Sequence, residues 1–316
     1  MDAIEERQYK PVTWELNQIH RDISFEEYSS ADAINSHGLM DMLRSPAHFY
    51  ERRFRGEDKS TKATEFGRML HFAVLEPEQF AKKCVVEPEF IGLTKDGKPS
   101  NRSGEALEKK KTWRASLAPD VLIVTPEILE KLIRMSNKIL SHPIAGKLLK
   151  GSVTEATIFW QDEETDIVCK ARLDVVSASG YIIDLKTTRD ARDFKFVWQI
   201  KDYDIDLQLS HYLKAAQSTK QIRSDAAILI AAESEPPHEV AVYPVGTRIL
   251  FRGEHRRSKA MRVYAECLKT GKYPGYNPEA RTIDFGEWAE NEVGAEIERE
   301  PLEVPELTPE PMETAE

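Results

Sequence analysis

The sequence predicts an α/β chain, a central mixed β-sheet flanked by helices. Three observations predict it. Residues 154–160, 167–176 and 181–187 read as three consecutive strands, and 192 to about 219 reads as helix, broken near 202–206. The run DAAILIAA, residues 225–232, is continuously apolar, as strands covered on both faces are. A strand that regains its sheet through a helix makes a right-handed crossover, so the third strand and this apolar run are expected to pair in parallel.

From the N-terminus, residues 1–35 are polar and mixed and read as a poorly fixed N-terminal arm with at most one short element. Ser36 is placed to cap HGLMDMLR, in which Leu39, Met42 and Leu43 form an apolar stripe. Ser45-Pro46 ends that helix and opens another, AHFYERRF, where Arg52, Arg53 and Arg55 interleave with Phe49, Tyr50 and Phe54. That cluster suits contact with DNA, and equally a solvated helix face over core aromatics. Residues 63–75 read as a helix with Phe66, Met69, Leu70, Ala73 and Val74 inward. His71 shares a side with Gly67, where a glycine permits another backbone to approach closely.

Residues 88–120 are rich in Lys and Gly and then strongly charged, and read as a loop insertion with a short basic helix. Thr125-Pro126 opens the helix EILEKLIRMSNKILS, His142-Pro143 closes it, and IAGKLLK follows as a shorter helix. After the apolar run, 239–244 is expected as an edge strand ending at proline, 246–268 as a long amphipathic helix, and 271–278 as a turn-rich aromatic loop. Residues 36–286 are thus expected to form a single domain. Residues 287–316, dominated by Pro and Glu, are expected to be an acidic disordered tail.

Composition narrows the function classes. The 316 residues carry a net charge of −10. From residue 287 onward there are eleven Glu and one Arg, a contribution of −10, which leaves residues 1–286 with 43 basic and 43 acidic groups. A neutral body permits a basic groove for nucleic acid despite the acidic total. No run of 18 apolar residues exists, which excludes a transmembrane helix, and the N-terminus lacks a secretory segment. Cys84, Cys169 and Cys267 are scattered without a C-x-x-C pair, so a reduced cytoplasmic setting fits best and no zinc or iron–sulfur site is suggested.

The stretch CKARLDVVSASGYIIDLKTT, residues 169–188, organises the rest. Two strands flank the turn Ser177-Ala178-Ser179-Gly180, each with an aspartate among apolar neighbours: Asp174 on one, Asp184 on the other. Lys186 follows Asp184 by two residues, so they share a strand face, roughly 6.6 Å apart along the chain. If the strands pair, the aspartates lie within about 5 Å of each other. Two carboxylates that close repel by roughly 3–4 kcal/mol at an effective dielectric of 20. Lys186 offsets one charge, and a divalent cation such as Mg²⁺ is the simplest partner for the other. Asp-x-Lys by itself is common. In this setting it points to metal-assisted phosphodiester cleavage. Glu155, at the start of the first strand, could reach the aspartate pair. Gln208 and Tyr212, four apart on a helix, share a face.

The segments SHGLMDMLRSPAHFY, EFGRMLHFAVLEPEQF, TEATIFWQDEETDIVCKARLDVV, YIIDLKTTRDARDF and LQLSHYLKAAQ together resemble the RecE-type exonucleases, the exonuclease VIII nuclease domain of the PD-(D/E)XK superfamily, from residue 36 to about 280. A phage or prophage recombination nuclease is the implied setting. The family's proline before the first aspartate is replaced here by Leu173, and a glycine usual in the preceding hairpin by Asp166. The insertion and the tail have no counterpart.

By that resemblance, His71, Asp174, Asp184 and the Leu185 carbonyl would ligate Mg²⁺ or Mn²⁺. Lys186 would orient or deprotonate the attacking water, and Glu155 would assist at the water or a second metal. Gln208 and Tyr212 match the Gln-x-x-x-Tyr motif that positions the substrate backbone. Arg44 or Ser45 would hold a terminal 5′-phosphate. The implied activity is 5′-to-3′ digestion of one strand of linear double-stranded DNA, leaving a 3′ tail for a single-strand annealing protein, with a ring-shaped homo-oligomer enclosing the DNA. The alternatives are an endonuclease of the same fold, and a non-cleaving scaffold that binds DNA ends or the annealing protein.

Overall fold

A computed structural model describes residues 7–56, 61–118, 121–223, 225–277 and 279. The tail expected over 287–316 lies outside the described residues.

A short strand β1 (Ile19–His20) and helix α1 (Phe25–Ser30) come first, then α2 (Ser36–Arg44), α3 (Pro46–Tyr50), a wider π-type turn over Glu51–Arg55, α4 (Lys62–Leu75) and α5 (Pro77–Lys83). The next segment holds β2 (Cys84–Val86), β3 (Gly92–Leu93), β4 (Pro99–Ser100), α6 (Gly104–Ala115) and β5 (Leu122–Val124). Helices α7 (Pro126–Ser141) and α8 (Ala145–Leu149) lead to the long strands β6 (Val153–Gln161), β7 (Val168–Val176) and β8 (Ile182–Thr188). Then come α9 (Asp193–Asp202), α10 (Ile205–Thr219), β9 (Ala227–Glu233), β10 (Val240–Pro244) and α11 (Thr247–Thr270).

The main sheet has six strands in the order β1-β6-β7-β8-β9-β10. Every pairing in it is antiparallel except β8 with β9, where Asp184 stands opposite Leu229 and Lys186 opposite Ala231. This is the mixed sheet expected from the sequence, and the crossover from β8 to β9 runs through α9 and α10. Apolar side chains leave the sheet on two sides. Leu39, Met42, Ala156, Ile158, Leu173 and Tyr264 belong to one buried cluster, and Met69, Leu70, Leu132, Val175, Ile183 and Ile230 to another. Helices α2, α10 and α11 therefore cover one face, and α4 and α7 the other. No described helix is long and apolar enough to cross a membrane.

Two stretches differ from the sequence expectation. Residues 7–35, expected as a loose arm with at most one short element, hold both β1 and α1. Ile23, Tyr28, Ala31 and Ala33 pack with Phe159 of β6. What fastens them is remote in sequence: the buried Lys170 of β7 donates from Nζ to the carbonyls of Tyr28, Ser29 and Ala31 at 2.7, 3.1 and 2.8 Å. The three protons of an ammonium match the three carbonyls that converge at this helix end.

The described part of that insertion, residues 88–118, also holds more regular structure than a loop with one short helix. The strands β3 and β4 pair with each other and α6 spans twelve residues, while β2 and β5, which flank the stretch, pair in parallel. The basic run on α6 is largely neutralised within the chain: Lys109 pairs with Glu105, and Lys110 and Arg114 both pair with the buried Glu87.

The arginine-and-aromatic cluster after α3 is mainly structural. Arg53 stacks on Tyr9 with its guanidinium carbon 4.0 Å from the ring centroid and pairs with Asp32, while Arg52 pairs with Asp41. Gly67 of α4 is not a point of tight backbone approach either, because a Cβ there would come no closer than 3.8 Å to Thr187 Oγ1.

Candidate metal centre

The site forms where β7 and β8 part. Their ladder pairs Val176 with Ile182 and Val175 with Ile183; the next pair in that register would be Asp174 with Asp184, and the ladder stops there. In place of a strand-to-strand bond, the Leu185 N–H donates to Asp174 Oδ2 at 3.1 Å. On the other side of β7, the pairing with β6 lapses at one residue. Thr154 opposes Val175 and Ala156 opposes Leu173, but Glu155 between them adopts a positive φ of 52°. That left-handed conformation is costly for a residue with a side chain, and such local strain gathers at functional sites. Glu155 and Asp174 thus face each other where both ladders are interrupted.

Helix α4 brings in the histidine. His71 Nε2 lies 2.8 Å from the Leu185 carbonyl oxygen, and Nδ1 lies 3.7 Å from Asp174 Oδ2. His71, Glu155 and Asp174 each place a donor atom within 4.8 Å of the other two. Asp184 falls outside this trio. It is fully buried, with Lys186 Nζ 2.6 Å from its Oδ2. The ammonium meets Oδ2 alone, and Oδ1 is buried without a hydrogen-bond partner. A buried carboxylate with an oxygen left unpartnered is costly and persists where a cation is meant to complete it.

The donor chemistry fits a hard divalent ion. Octahedral Mg²⁺ with bonds of about 2.1 Å sets neighbouring ligand atoms roughly 3 Å apart. The His71 Nε2 to Leu185 carbonyl spacing of 2.8 Å is of that order. The ligand set expected from the sequence, His71, Asp174, Asp184 and the Leu185 carbonyl, therefore lies around one strand fork.

Electrostatics at the fork is dominated by burial. Burial pushes the Asp184 carboxyl up to about 6; Lys186 opposes this and Asp174 reinforces it. For Lys186, burial works to lower the pKa, but the carboxylates of Asp184 and Asp174 outweigh it and hold the amine above the ordinary lysine range. The partners respond differently because Asp184 is wholly enclosed and repelled by Asp174, whereas the lysine side chain keeps 22% of its surface exposed and sees two anions. Burial also raises Glu155, against the pull of Arg172.

Gln208 and Tyr212 are buried on α10, and Gln208 Nε2 donates to the Tyr212 hydroxyl at 2.8 Å. Burial raises the Tyr212 pKa far above its usual range, and the charges of Asp174 and Asp184 add to it, so this pair lies within electrostatic reach of the fork. Arg44 is exposed at the end of α2. Ser45 does not match the expectation of a phosphate-binding hydroxyl: it is 5% exposed, caps α3 through the His48 N–H, and lies 2.6 Å from His48 Nδ1. Its hydroxyl is already committed to holding the helix start.

Three neighbours escaped the sequence reading. Arg172 Nε donates to Glu155 Oε2 at 2.6 Å and its NH1 to the Ile23 carbonyl at 2.7 Å, which fixes the Glu155 carboxylate. Its signal was present, since Arg172 precedes Asp174 by two residues on one strand face. Glu76, at the end of α4, is raised by burial, with Arg172 and His71 acting against the shift. His37 on α2 is solvent-exposed, yet burial lowers its pKa, followed by Lys186 and Arg52. Neither Glu76 nor His37 bears a local motif.

Comparison with known proteins agrees with this architecture. Residues 36–284 match the family described as a PDDEXK-like domain of unknown function (DUF3799). A crystal structure of a candidate exonuclease from Eubacterium rectale aligns with a TM-score of 0.54 at 14% identity, covering 87% of this chain and 100% of that one. That likeness speaks for the fold. A second structure, of SSO0001, has a TM-score of 0.27 at 11% identity over 79% of this chain and 88% of its own, too low to carry an argument. Among curated proteins none matches the chain.

Proposed function

The chain belongs to the PDDEXK-like DUF3799 family, and from that premise we propose that it is a nuclease that hydrolyses DNA phosphodiester bonds with a divalent cation at the β7–β8 fork. The observation that carries the reading is Asp184, fully buried with Oδ2 against Lys186 and Oδ1 without a partner, beside the His71–Glu155–Asp174 trio. Such a group is poorly accounted for as structure alone.

His71, Asp174, Asp184 and the Leu185 carbonyl would hold the ion, Mg²⁺ or Mn²⁺. Bound there, it would polarise the scissile phosphate and acidify a water. Lys186, charged and anchored by two carboxylates, orients the attacking water and stabilises charge developing on the phosphate. Arg172 keeps the Glu155 carboxylate aimed at the same space, where it accepts a hydrogen bond from that water. Gln208 and Tyr212, joined to each other, present a rigid polar edge for the substrate backbone.

The finer reading is a 5′-to-3′ exodeoxyribonuclease on linear double-stranded DNA. It leaves a 3′ single strand for an annealing protein, acts in the cytoplasm, and works as a ring-shaped homo-oligomer. Its support is the match of His71, Asp174, Asp184-x-Lys186 and Gln208-x-x-x-Tyr212 to the RecE-type pattern. Arg44 remains the candidate for the 5′-phosphate, being exposed and two helical turns beyond His37 on the same face of α2. The domain proposed over 36–286 is bounded by the arm, here packed on the sheet, and the acidic tail.

The decisive experiment is a linear duplex labelled at either 5′ or 3′ ends, with a covalently closed circle in parallel, under Mg²⁺ and then EDTA. Release of the 5′ label, stopped by EDTA, with the circle intact, is the expected result. Cutting of the circle would convert the assignment to an endonuclease. No cutting of any substrate would leave a DNA-end-binding scaffold.

A further inference from the structure

The face of α9 and the start of α11 expose aromatic rings that the hydrolytic site does not use. Phe194, Trp198 and Tyr203 of α9 and its C-cap are 46, 56 and 68% exposed, and Phe251 of α11 is 78% exposed. Phe194 and Trp198, four residues apart, share one face of α9 with half-exposed Val197 and leave apolar surface on the order of 300 Å² open to water, a size of patch that often has a use. Between the two helices lies a cavity of about 250 Å³ lined by Trp198, Ile200, Ile249, Lys201 and the Asp206–Arg252 ion pair among others. That is room for a flat ring.

The cations decide what kind of ligand fits. Arg192 lies over the Phe194 ring with its guanidinium carbon 4.9 Å from the centroid, Lys195 Nζ lies 5.7 Å from the same centroid, and Lys201 Nζ lies 4.9 Å from that of Trp198. Arg192 is paired with Asp190, but among the described residues Lys195 and Lys201 form no ion pair. Lysine is depleted from protein–protein interfaces. Exposed rings interleaved with free ammonium groups are instead the composition of surfaces that stack successive bases while cations follow the phosphates.

The platform is also joined to the catalytic strand. Gln199, next to Trp198, accepts from Thr188 Oγ1 at 2.6 Å and donates to the Thr187 carbonyl at 3.3 Å. Thr187 and Thr188 continue β8 directly from Lys186.

From these observations we infer that the exposed face of α9 binds single-stranded nucleic acid, stacking bases on Trp198 and Phe194 while Lys195 and Lys201 meet the phosphates. Resting on the nuclease reading above, the occupant is the uncut strand as it separates from the strand being hydrolysed.

Fluorescence anisotropy of a labelled oligothymidylate with the full chain in EDTA tests it, using Trp198→Ala, Phe194→Ala and Lys195→Gln/Lys201→Gln. These positions are exposed, so the variants keep the fold. The expected result is about fivefold or greater weakening by each aromatic variant, with the salt dependence of binding flattened in the double lysine variant. Binding to blunt duplex should change less than twofold. Because the binding arms run without metal, they read the platform whether or not the chain cleaves DNA; cleavage of a short end-labelled duplex in Mg²⁺ tests the site separately. Unchanged oligothymidylate affinity in both aromatic variants overturns the inference. So does an affinity loss that only accompanies a fall in particle mass by light scattering, which would make this face a contact between copies of the chain.

Discussion

Leu185 is held through both of its peptide groups by the side chains that would bind metal: its N–H donates to Asp174 at 3.1 Å and its carbonyl lies 2.8 Å from His71 Nε2. Asp174 therefore has a structural duty as well as a chemical one, whereas the Asp184 carboxylate meets only the Lys186 ammonium and holds no backbone group. The two aspartates should separate on mutation. Asp174→Ala is expected to abolish cleavage and to cost about 1–3 kcal/mol of stability, because it strands a buried N–H. Asp184→Asn should abolish cleavage with little or no loss in the urea midpoint of the metal-free chain. Equal destabilisation by both would contradict this division.

The buried Asp184 also sets a pH signature. Its carboxyl is pushed up to about 6 in the folded chain, against an ordinary aspartate value near 3.9 in the unfolded one. Between those values the folded state holds more protons, so stability falls as pH rises. The metal-free chain should lose on the order of 2–3 kcal/mol from pH 4 to pH 6 through this group, relative to Asp184→Asn. Mg²⁺ should restore the loss above pH 6. Urea titrations of both proteins at several pH values, with and without Mg²⁺, measure it; superimposable profiles would refute it.

Lys186→Met should remove cleavage and leave Asp184 buried without its counter-charge. Metal-free Lys186→Met is expected to unfold several degrees lower than the native chain at pH 8 and to converge with it below pH 6, where Asp184 is protonated. Differential scanning calorimetry across that range is the check. A constant difference at all pH values would mean that the lysine acts through packing alone.

Gln208 and Tyr212 are joined by a 2.8 Å bond. Tyr212→Phe deletes the acceptor, costing about 1 kcal/mol of stability. If the pair positions the substrate backbone, the same change should raise KM more than it lowers kcat, and Gln208→Ala with Tyr212→Phe should be less than additive. Steady-state kinetics on a linear duplex with the double-mutant cycle decides it, and strict additivity would count against a shared role.

Lys170 tests the packing of the N-terminal segment. Lys170→Met leaves the carbonyls of Tyr28, Ser29 and Ala31 without their donor. Amide exchange over residues 25–34 should quicken by at least tenfold while that of β8 and β9 changes little. Equal acceleration across the sheet would show that the segment does not open separately.

The parts of this fold legible in the sequence are those governed by short-range periodicity. The two-residue period puts Asp184 and Lys186 on one face, and the apolar run fixes β9 as a parallel neighbour of β8. The four-residue spacing places Gln208 against Tyr212. What escaped depends on partners far along the chain. Residues 7–35 looked loose because the amine that fastens them stands some 140 positions later, on β7. Ser45 looked available because a helix-capping hydroxyl and a ligand-binding one are the same residue type. Glu155 was placed near the aspartates, but its positive φ follows from a local lapse in the ladder that no side-chain pattern announces.

The parting of β7 from β8 has a cost that regular sheets avoid, since each unmade rung gives up a cross-link the chain had every opportunity to form. In return, a slot opens inside the most rigid layer of the molecule, and its walls cannot drift because both continue as ordinary ladders a residue or two away.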